Sequence, residues 1–276
     1  MPSSNRPVPA DISSISSSIQ ARHLQFPMAH AITAAPGDSA NDVGALLAAW
    51  QFDACPVLED GHVVGIFQRE EGPLSTTVQD SMCNITARNL TAADTPLESL
   101  VEDLGTHALI FVLEGRKITG FVTPADLGSA AARTYFYLKL SALEVAAADY
   151  LRQRYPHQED ALSALSNGRR SKAQELVASL LADDAFIDIV ASLSLQDLVS
   201  VLGKDEPFRA RIRESGIGWD SLSHGLTGFR NDIMHPSRPF GGATRKGAQG
   251  LSKKLRGLTT LTEALISLRQ LNVLLP

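Results

Sequence analysis

Apolar residues recur with two different periods along this chain, and the change of period divides it. In the first half they come in short runs and alternations bounded by Gly-containing turns. The clearest are CPVLEDGHVVGIF at 55–67 and IFVLEGRKITGFV at 110–122. Each reads as a β-rich run, a turn and a second β-rich run that ends in Gly-apolar-apolar. The two strings align without a gap at an offset of 55 residues, so the acidic half contains an internal repeat. A helical segment precedes each copy, at 42–51 and 96–104, with Asp94 or Thr95 as the N-cap of the second.

After Gly128 the period becomes helical. No Gly or Pro interrupts the chain until Pro156, which predicts one helix over 129–155, on the order of 40 Å long. It leads without a flexible linker into an all-helical second half, so the two halves are expected to be mechanically coupled. Further helices are expected at 171–182, 185–203 (with a break near 193–195), 205–214, 220–235 and 251–272, with Ser171 and Ser194 as caps. In the 220–235 helix, capped by Asp220, Leu222, Leu226, Phe229 and Ile233 form one apolar stripe. Arg230, Asn231 and His235 fall off that stripe and fan over roughly 140° beside it. Pro236 disfavours helix at the residue before it, which puts His235 at the helix end. Segment 236–250, rich in Gly and basic residues, reads as a mobile surface loop. The fold class is therefore an α+β N-terminal half built on an internal repeat, followed by a helical bundle.

Charge follows the same division. Residues 30–130 hold 14 acidic and 4 basic side chains, whereas residues 131–276 hold 15 acidic and 19 basic. The excess cations cluster from the end of the 220–235 helix onward: Arg230, Arg238, Arg245, Lys246, Lys253, Lys254 and Arg256 are opposed only by Asp232. Such a group attracts polyanions, and Arg238, Arg245, Lys246, Lys253 and Lys254 are the candidate RNA contacts. The competing reading is a solvated helix face and loop. Only Cys55 and Cys83 occur, so no disulfide framework or cysteine metal site is expected, and Cys55 belongs to an apolar core. No apolar run has membrane-span length and the serine-rich N-terminus lacks a secretory pattern, so a cytoplasmic location is expected. The expected divisions are a flexible arm at 1–22, a repeat pair at 23–128 (copies at about 24–78 and 79–128) and a helical domain at 129–276, with 129–155 as the connecting helix.

The string FRNDIMHPSRP at 229–239 carries the most chemistry. Arginine is a permanently charged fork for phosphate oxygens, and histidine exchanges protons near neutral pH. The spacing alone is weak, since Arg152 and His157 repeat it as a decoy, without an asparagine after the arginine. The whole string RNDIMHP, however, resembles the Arg-Asn-x3-His signature of HEPN domains, small all-helical RNA-cleaving modules. The resemblance covers about residues 136–274 and is specific only in that string. It implies a homodimer whose two motif helices face one cleft, and metal-independent endoribonuclease activity leaving 2′,3′-cyclic phosphate ends. Arg230, Asn231 and His235 would be its catalytic residues, with no cofactor needed for cleavage.

The internal repeat, over roughly 24–128, resembles a tandem pair of CBS domains, the cystathionine-β-synthase-type regulatory module, and the resemblance implies two β-α-β-β-α units. GFVTPADL in the second copy matches that family's Gly-apolar-apolar-Thr-x-x-Asp element. The resemblance implies an adenosine nucleotide (AMP, ADP, ATP or a relative) as regulatory ligand, with Thr123 near its phosphate and Asp126 on its ribose hydroxyls, and a homodimer through this module too. Thr123-Pro124-Ala125-Asp126 also reads simply as a helix start, and the two readings are compatible. In the first copy Gln68 and Glu71 stand in place of the threonine and aspartate, so one site per chain is expected. The resulting expectation is a nucleotide-regulated ribonuclease, a toxin or defence effector. The alternative is a non-catalytic nucleotide-sensing adaptor that binds RNA or a protein partner through its helical half.

Overall fold

The computed structural model describes residues 16–69, 76–157, 159–182, 188–237, 240–241 and 244–274. Its described residues fall into two units, Ser13–Tyr135 with Pro236–Lys253, and Phe136–His235 with Lys254–Pro276.

The first unit is built on the repeat. Its elements run β1 (Phe26–Pro27), α1 (Ala40–Ala49), β2 (Ala54–Glu59), β3 (His62–Gln68), α2 (Val78–Ser81), β4 (Cys83–Asn84), β5 (Leu90–Ala92), α3 (Leu97–Asp103), β6 (Ile110–Glu114) and β7 (Lys117–Val122). They form two sheets, ordered β2-β3-β4 and β1-β7-β6-β5. The two antiparallel hairpins match at the expected offset, down to an irregularity after Val57 in one and after Val112 in the other. The copies also exchange strands, which the alternation did not reveal. β1, from the lead-in to the first copy, pairs with β7 of the second, and β4, from the lead-in to the second, pairs with β3 of the first. This exchange explains the glycine that ends each repeat string. A Cβ on Gly120 would overlap the Phe26 carbonyl oxygen, and one on Gly65 would lie 3.0 Å from the Cys83 carbonyl oxygen. The crossing backbones require the missing side chain at both places.

The lead-ins repeat as well. Gln20 bridges Pro96 and Thr77 bridges Ser39, and each starts a helical turn whose cap is reciprocated three residues on, by His23 and Asp80. Ala21 is fully buried and its N–H donates to the Thr95 carbonyl at 2.9 Å. Residues 16–22 therefore do not belong to a flexible arm, and residues 1–15 lie outside the described set. Pro96, not Asp94 or Thr95, occupies the N-cap of α3. Cys55 packs with Val43, Leu47, Val57, Phe67 and Val78, and burial, with Asp38 adding to it, pushes its thiol up to about 12. It stays protonated and inert at neutral pH.

The second unit is helical. Its elements are α4 (Ala130–Arg154), α5 (Glu159–Leu162), α6 (Asn167–Ala182), α7 (Leu195–Leu202), α8 (Glu206–Glu214), α9 (Trp219–Ser223), α10 (Leu226–Met234) and α11 (Arg245–Leu274). The division between the units falls inside α4 and inside α11. α4 is the expected long helix, burying Phe136, Leu140, Leu143, Ala147, Tyr150 and Leu151 at helical spacing. The expected 185–203 helix is realised only as α7: the 3-10 turn Val190–Ser192 precedes the break at 193–195, residues 183–187 lie outside the described set, and Ser194 caps α7 in a reciprocal box with Asp197. Ser171 is no cap, because α6 starts four residues before it at Asn167. Asp205 caps α8 and is 2% exposed. It accepts hydrogen bonds from the Phe208 amide (2.9 Å) and the hydroxyls of Tyr150 (2.6 Å) and Tyr155 (3.1 Å), and from Arg154 (3.1 Å).

Three expectations near the motif need correction. The single 220–235 helix is interrupted: α9 ends at Ser223, and α10 restarts after Gly225, whose φ is +72°. Gly218, not Asp220, sits at the N-cap of α9. Segment 236–250 is shorter as a loop than expected, because α11 begins at Arg245. Within the repeat-containing unit Phe240 is buried under Arg133, whose guanidinium lies 4.9 Å from the ring centroid, and the Gln249 amide donates to the Gly105 carbonyl at 2.8 Å. Arg238 lies outside the described residues. Among the described residues no helix is long and apolar enough to cross a membrane, and no cluster of metal-ligating side chains occurs.

Candidate functional site

α10 is anchored by three residues of the stripe read from the sequence. Leu226, Phe229 and Ile233 are buried, and the Phe229 ring meets Phe136 edge-on with centroids 5.7 Å apart. Burying this face turns Thr227, Arg230 and Asn231 outward, into a groove of about 660 Å³. α4 lines it through Ser141, Glu144, Val145, Ala148 and Arg152. Arg169 of α6, the 3-10 turn at Val190 and Ala191, and the start of α7 with Ser194 and Gln196 line the rest. All these residues belong to the helical unit.

His235 is not among the groove's lining residues. It is the C-cap of α10, exposed, with its backbone N–H on the Asn231 carbonyl at 3.1 Å. The helix-end position is the one expected from Pro236. The structure thus brings Arg230 and Asn231 together and leaves the imidazole outside that recess.

The groove contains three arginines in different electrostatic states. Arg152 is tied to Asp188 (2.6 Å) and Asp149 (3.2 Å), and Arg169 to Asp197 (2.5 Å) and the Ser194 hydroxyl (2.7 Å). Burial alone would raise the Asp197 carboxyl, but hydrogen bonds from Arg169 and Ser194 outweigh it and hold the group below the ordinary carboxylate range. Arg230 is exposed on the groove wall, outside any such fork. Glu144 is half-buried; burial pushes its carboxyl above the ordinary value and the Arg230 charge pulls the other way. Sequence reasoning missed Glu144 and Arg169 and set Arg152 aside as a decoy. The partners Asp188 and Asp197 are 36 and 28 residues away in the chain, beyond any local spacing.

The remaining candidate cations are divided. Arg245, Lys246 and Lys253 are exposed in the repeat-containing unit. Lys254 is half-buried in the helical unit, donates from its ammonium to the His224 carbonyl, and is held below the ordinary lysine value by burial. That contact fixes the entry to α10, since a Cβ on Gly225 would lie 3.0 Å from the same ammonium. Gly225→Ala is expected to lower the stability of the helical unit by about 1–2 kcal/mol, from left-handed backbone strain plus this contact. Thermal denaturation checks it, and an unchanged midpoint would show that the turn tolerates a side chain.

In the repeat-containing unit, the Thr123 N–H and hydroxyl both donate to one oxygen of Asp126, at 2.7 and 2.8 Å, starting the 3-10 turn Pro124–Gly128. The helix-start reading is therefore realised. Burial raises the Asp126 carboxyl and the two Thr123 bonds oppose it. In the first copy, Gln68 ends β3, and Glu71 lies outside the described residues.

No protein-family model matches the chain, and no curated protein does. Solved structures similar to it include the CBS domain of a bacterial CNNM/CorC family Mg2+ transporter in complex with ATP, at 19% identity over 42% of this chain and 89% of that one, TM-score 0.35. CBSX2, a CBS-pair protein from Arabidopsis thaliana, is 17% identical over 44% of this chain and 96% of that one, TM-score 0.36. The CBS domains of a transcriptional regulator from Streptococcus pneumoniae are 19% identical over 39% of this chain and 95% of that one, TM-score 0.33.

Proposed function

We propose that this chain is a metal-independent endoribonuclease of HEPN type whose activity responds to an adenosine nucleotide bound by a CBS pair, acting in the cytoplasm as a toxin or defence effector. One observation carries the reading. The buried face of α10 builds the core without Arg230 and Asn231, and both side chains line an open groove. Arg230 takes the non-bridging phosphate oxygens, and Asn231 orients the scissile group. The 2′-hydroxyl oxygen attacks the adjacent phosphorus, the bond to the 5′ oxygen breaks, one proton leaves the hydroxyl and one reaches the departing oxygen. His235 transfers one of these protons, and a second chain supplies the other group. Two copies of α10 facing one cleft would add an imidazole that the recess of one chain lacks. That absence also favours the second reading, a non-catalytic adaptor binding RNA or protein through the same groove.

The reading of the repeat rests on its own geometry, with duplicated hairpins, exchanged lead-in strands and a half-buried carboxylate at the Thr123 turn. A short carboxylate accepts both hydrogens of a ribose diol. The nucleotide would act through α4, which it must bias between two states of different affinity. Purified protein incubated with single-stranded RNA and adenosine nucleotides, as wild type and Asp126→Ala, tests both parts. The expected result is metal-free cleavage whose rate changes with nucleotide in the wild type only. Intact RNA rejects the nuclease, and equal nucleotide response in the variant rejects the sensor site.

A further inference from the structure

Arg152 and Arg169 line the same groove as Arg230 and Asn231, yet their guanidinium groups are held differently. Arg152 has each of its three nitrogens on a carboxylate. Nε and Nη2 donate to Asp188 at 2.6 and 3.2 Å, and Nη1 to Asp149 at 3.2 Å. Arg169 donates from Nε and Nη2 to Asp197 at 2.8 and 2.5 Å, and from Nη2 to the Ser194 hydroxyl at 2.7 Å. These bonds leave Nη1 with its two N–H groups. The anchor is buried and the head is not: Asp197 is 5% exposed, the Arg169 side chain 42%. The same carboxylate closes the cap of α7, accepting the Ser194 N–H at 3.0 Å and its hydroxyl at 2.7 Å. The cap therefore fixes a guanidinium with one unspent edge at the groove surface. Such a group meets an anion with little loss of rotamer freedom. Glu144, the one carboxylate among the lining residues, comes from α4 and disfavours a phosphate beside it, which leaves the α6 and α10 lining for a strand.

We propose that Arg169 is a second phosphate-binding residue: through Nη1 it holds the phosphate next to the one taken by Arg230, so the groove accepts a strand with two consecutive phosphates. A volume of about 660 Å³ suits a strand segment rather than a single anion. Asp197 acts through Arg169 as a positioning residue. The inference names the substrate class of the same site and rests on the reading that Arg230 takes the scissile phosphate.

The test uses the full chain and the thymidine oligomers TpT and TpTpT, which have no 2′-hydroxyl to react and carry one and two phosphates. In the wild type the second phosphate is expected to tighten binding about tenfold, of which the extra registers of a longer strand supply only about twofold. Arg169→Ala should bind TpT within about twofold of wild type and lose the rest of the gain. Lys172→Ala removes an exposed cation of the same helix that does not line the groove, and should keep the gain. Arg169→Ala leaves Asp197 buried without its cation, so Arg169→Met combined with Asp197→Asn is measured beside it. That combination keeps the wild-type net charge and an acceptor for the Ser194 N–H, so it should fold, and it should lose the gain equally. A gain of about tenfold in either Arg169 variant, its loss in Lys172→Ala as well, or its absence from the wild type would overturn the subsite. RNA left intact by a protein that shows the expected pattern rejects the nuclease and keeps the subsite. RNA cut by a protein without the pattern does the reverse.

Discussion

Replacing Asp205 with alanine is expected to lower the stability of the helical unit by about 3–5 kcal/mol, moving its thermal midpoint down by on the order of 10 °C. Asp205 is the hub of that unit's packing. Its carboxylate caps α8 through the Phe208 amide and accepts the Tyr150 hydroxyl at 2.6 Å, with Phe208 and Tyr150 both buried. Removing it strands a buried hydroxyl and a buried amide, and each orphaned group costs about 1–3 kcal/mol. The Arg154 bond adds less, because that guanidinium is 42% exposed and solvent screens it. The Tyr150 hydroxyl is pushed up by burial first and by Asp205 second, so it stays a donor throughout the neutral range. Asp205→Asn retains an acceptor for part of the network and should fall between wild type and alanine. A midpoint within about 2 °C of wild type for Asp205→Ala would show that the network is not what holds α8 to α4.

The second large effect concerns chemistry. Arg230→Ala is expected to reduce RNA cleavage about 100–1,000-fold while leaving the thermal midpoint nearly unchanged. Arg230 is exposed and off the buried stripe, so its loss opens no cavity. The loss falls on the charge that develops on phosphorus oxygens in the transition state. Lysine at the same place should rescue only part of the rate, since an ammonium cannot present the two parallel N–H bonds of a guanidinium. A variant that cleaves at the wild-type rate would remove the groove from the reaction.

Much of the scaffold was legible because it depends on local periods. The paired hairpins at 55–67 and 110–122, the helix at 129–155 and the cap at Ser194 follow from alternation, absence of Gly and Pro, and a capping residue before an apolar run. What the periods could not show depends on distant partners. β1 and β4 are two residues each, too short to alternate, and their pairing is dictated by Gly65 and Gly120, which admit a crossing backbone. The groove is invisible locally because its walls come from α4, α6, α7 and α10, and two of its arginines are fixed by aspartates on other elements. The stripe through Leu222, Leu226, Phe229 and Ile233 is buried throughout, yet Gly225 splits the helix it was read from. An apolar repeat survives such a break, so periodicity alone does not detect it. The early start of α11 was hidden by Gly247 and Gly250, which read as loop but sit inside the helix.

The proposed metal-free cutting of RNA by Arg230, Asn231 and His235 stands or falls on wild type and His235→Ala incubated with single-stranded RNA in EDTA, with the ends of the products analysed. Wild type is expected to leave 2′,3′-cyclic phosphate ends, and His235→Ala to cleave about 100–10,000-fold more slowly. Cleavage by His235→Ala at the wild-type rate, or RNA left intact by the wild type, would rule the mechanism out.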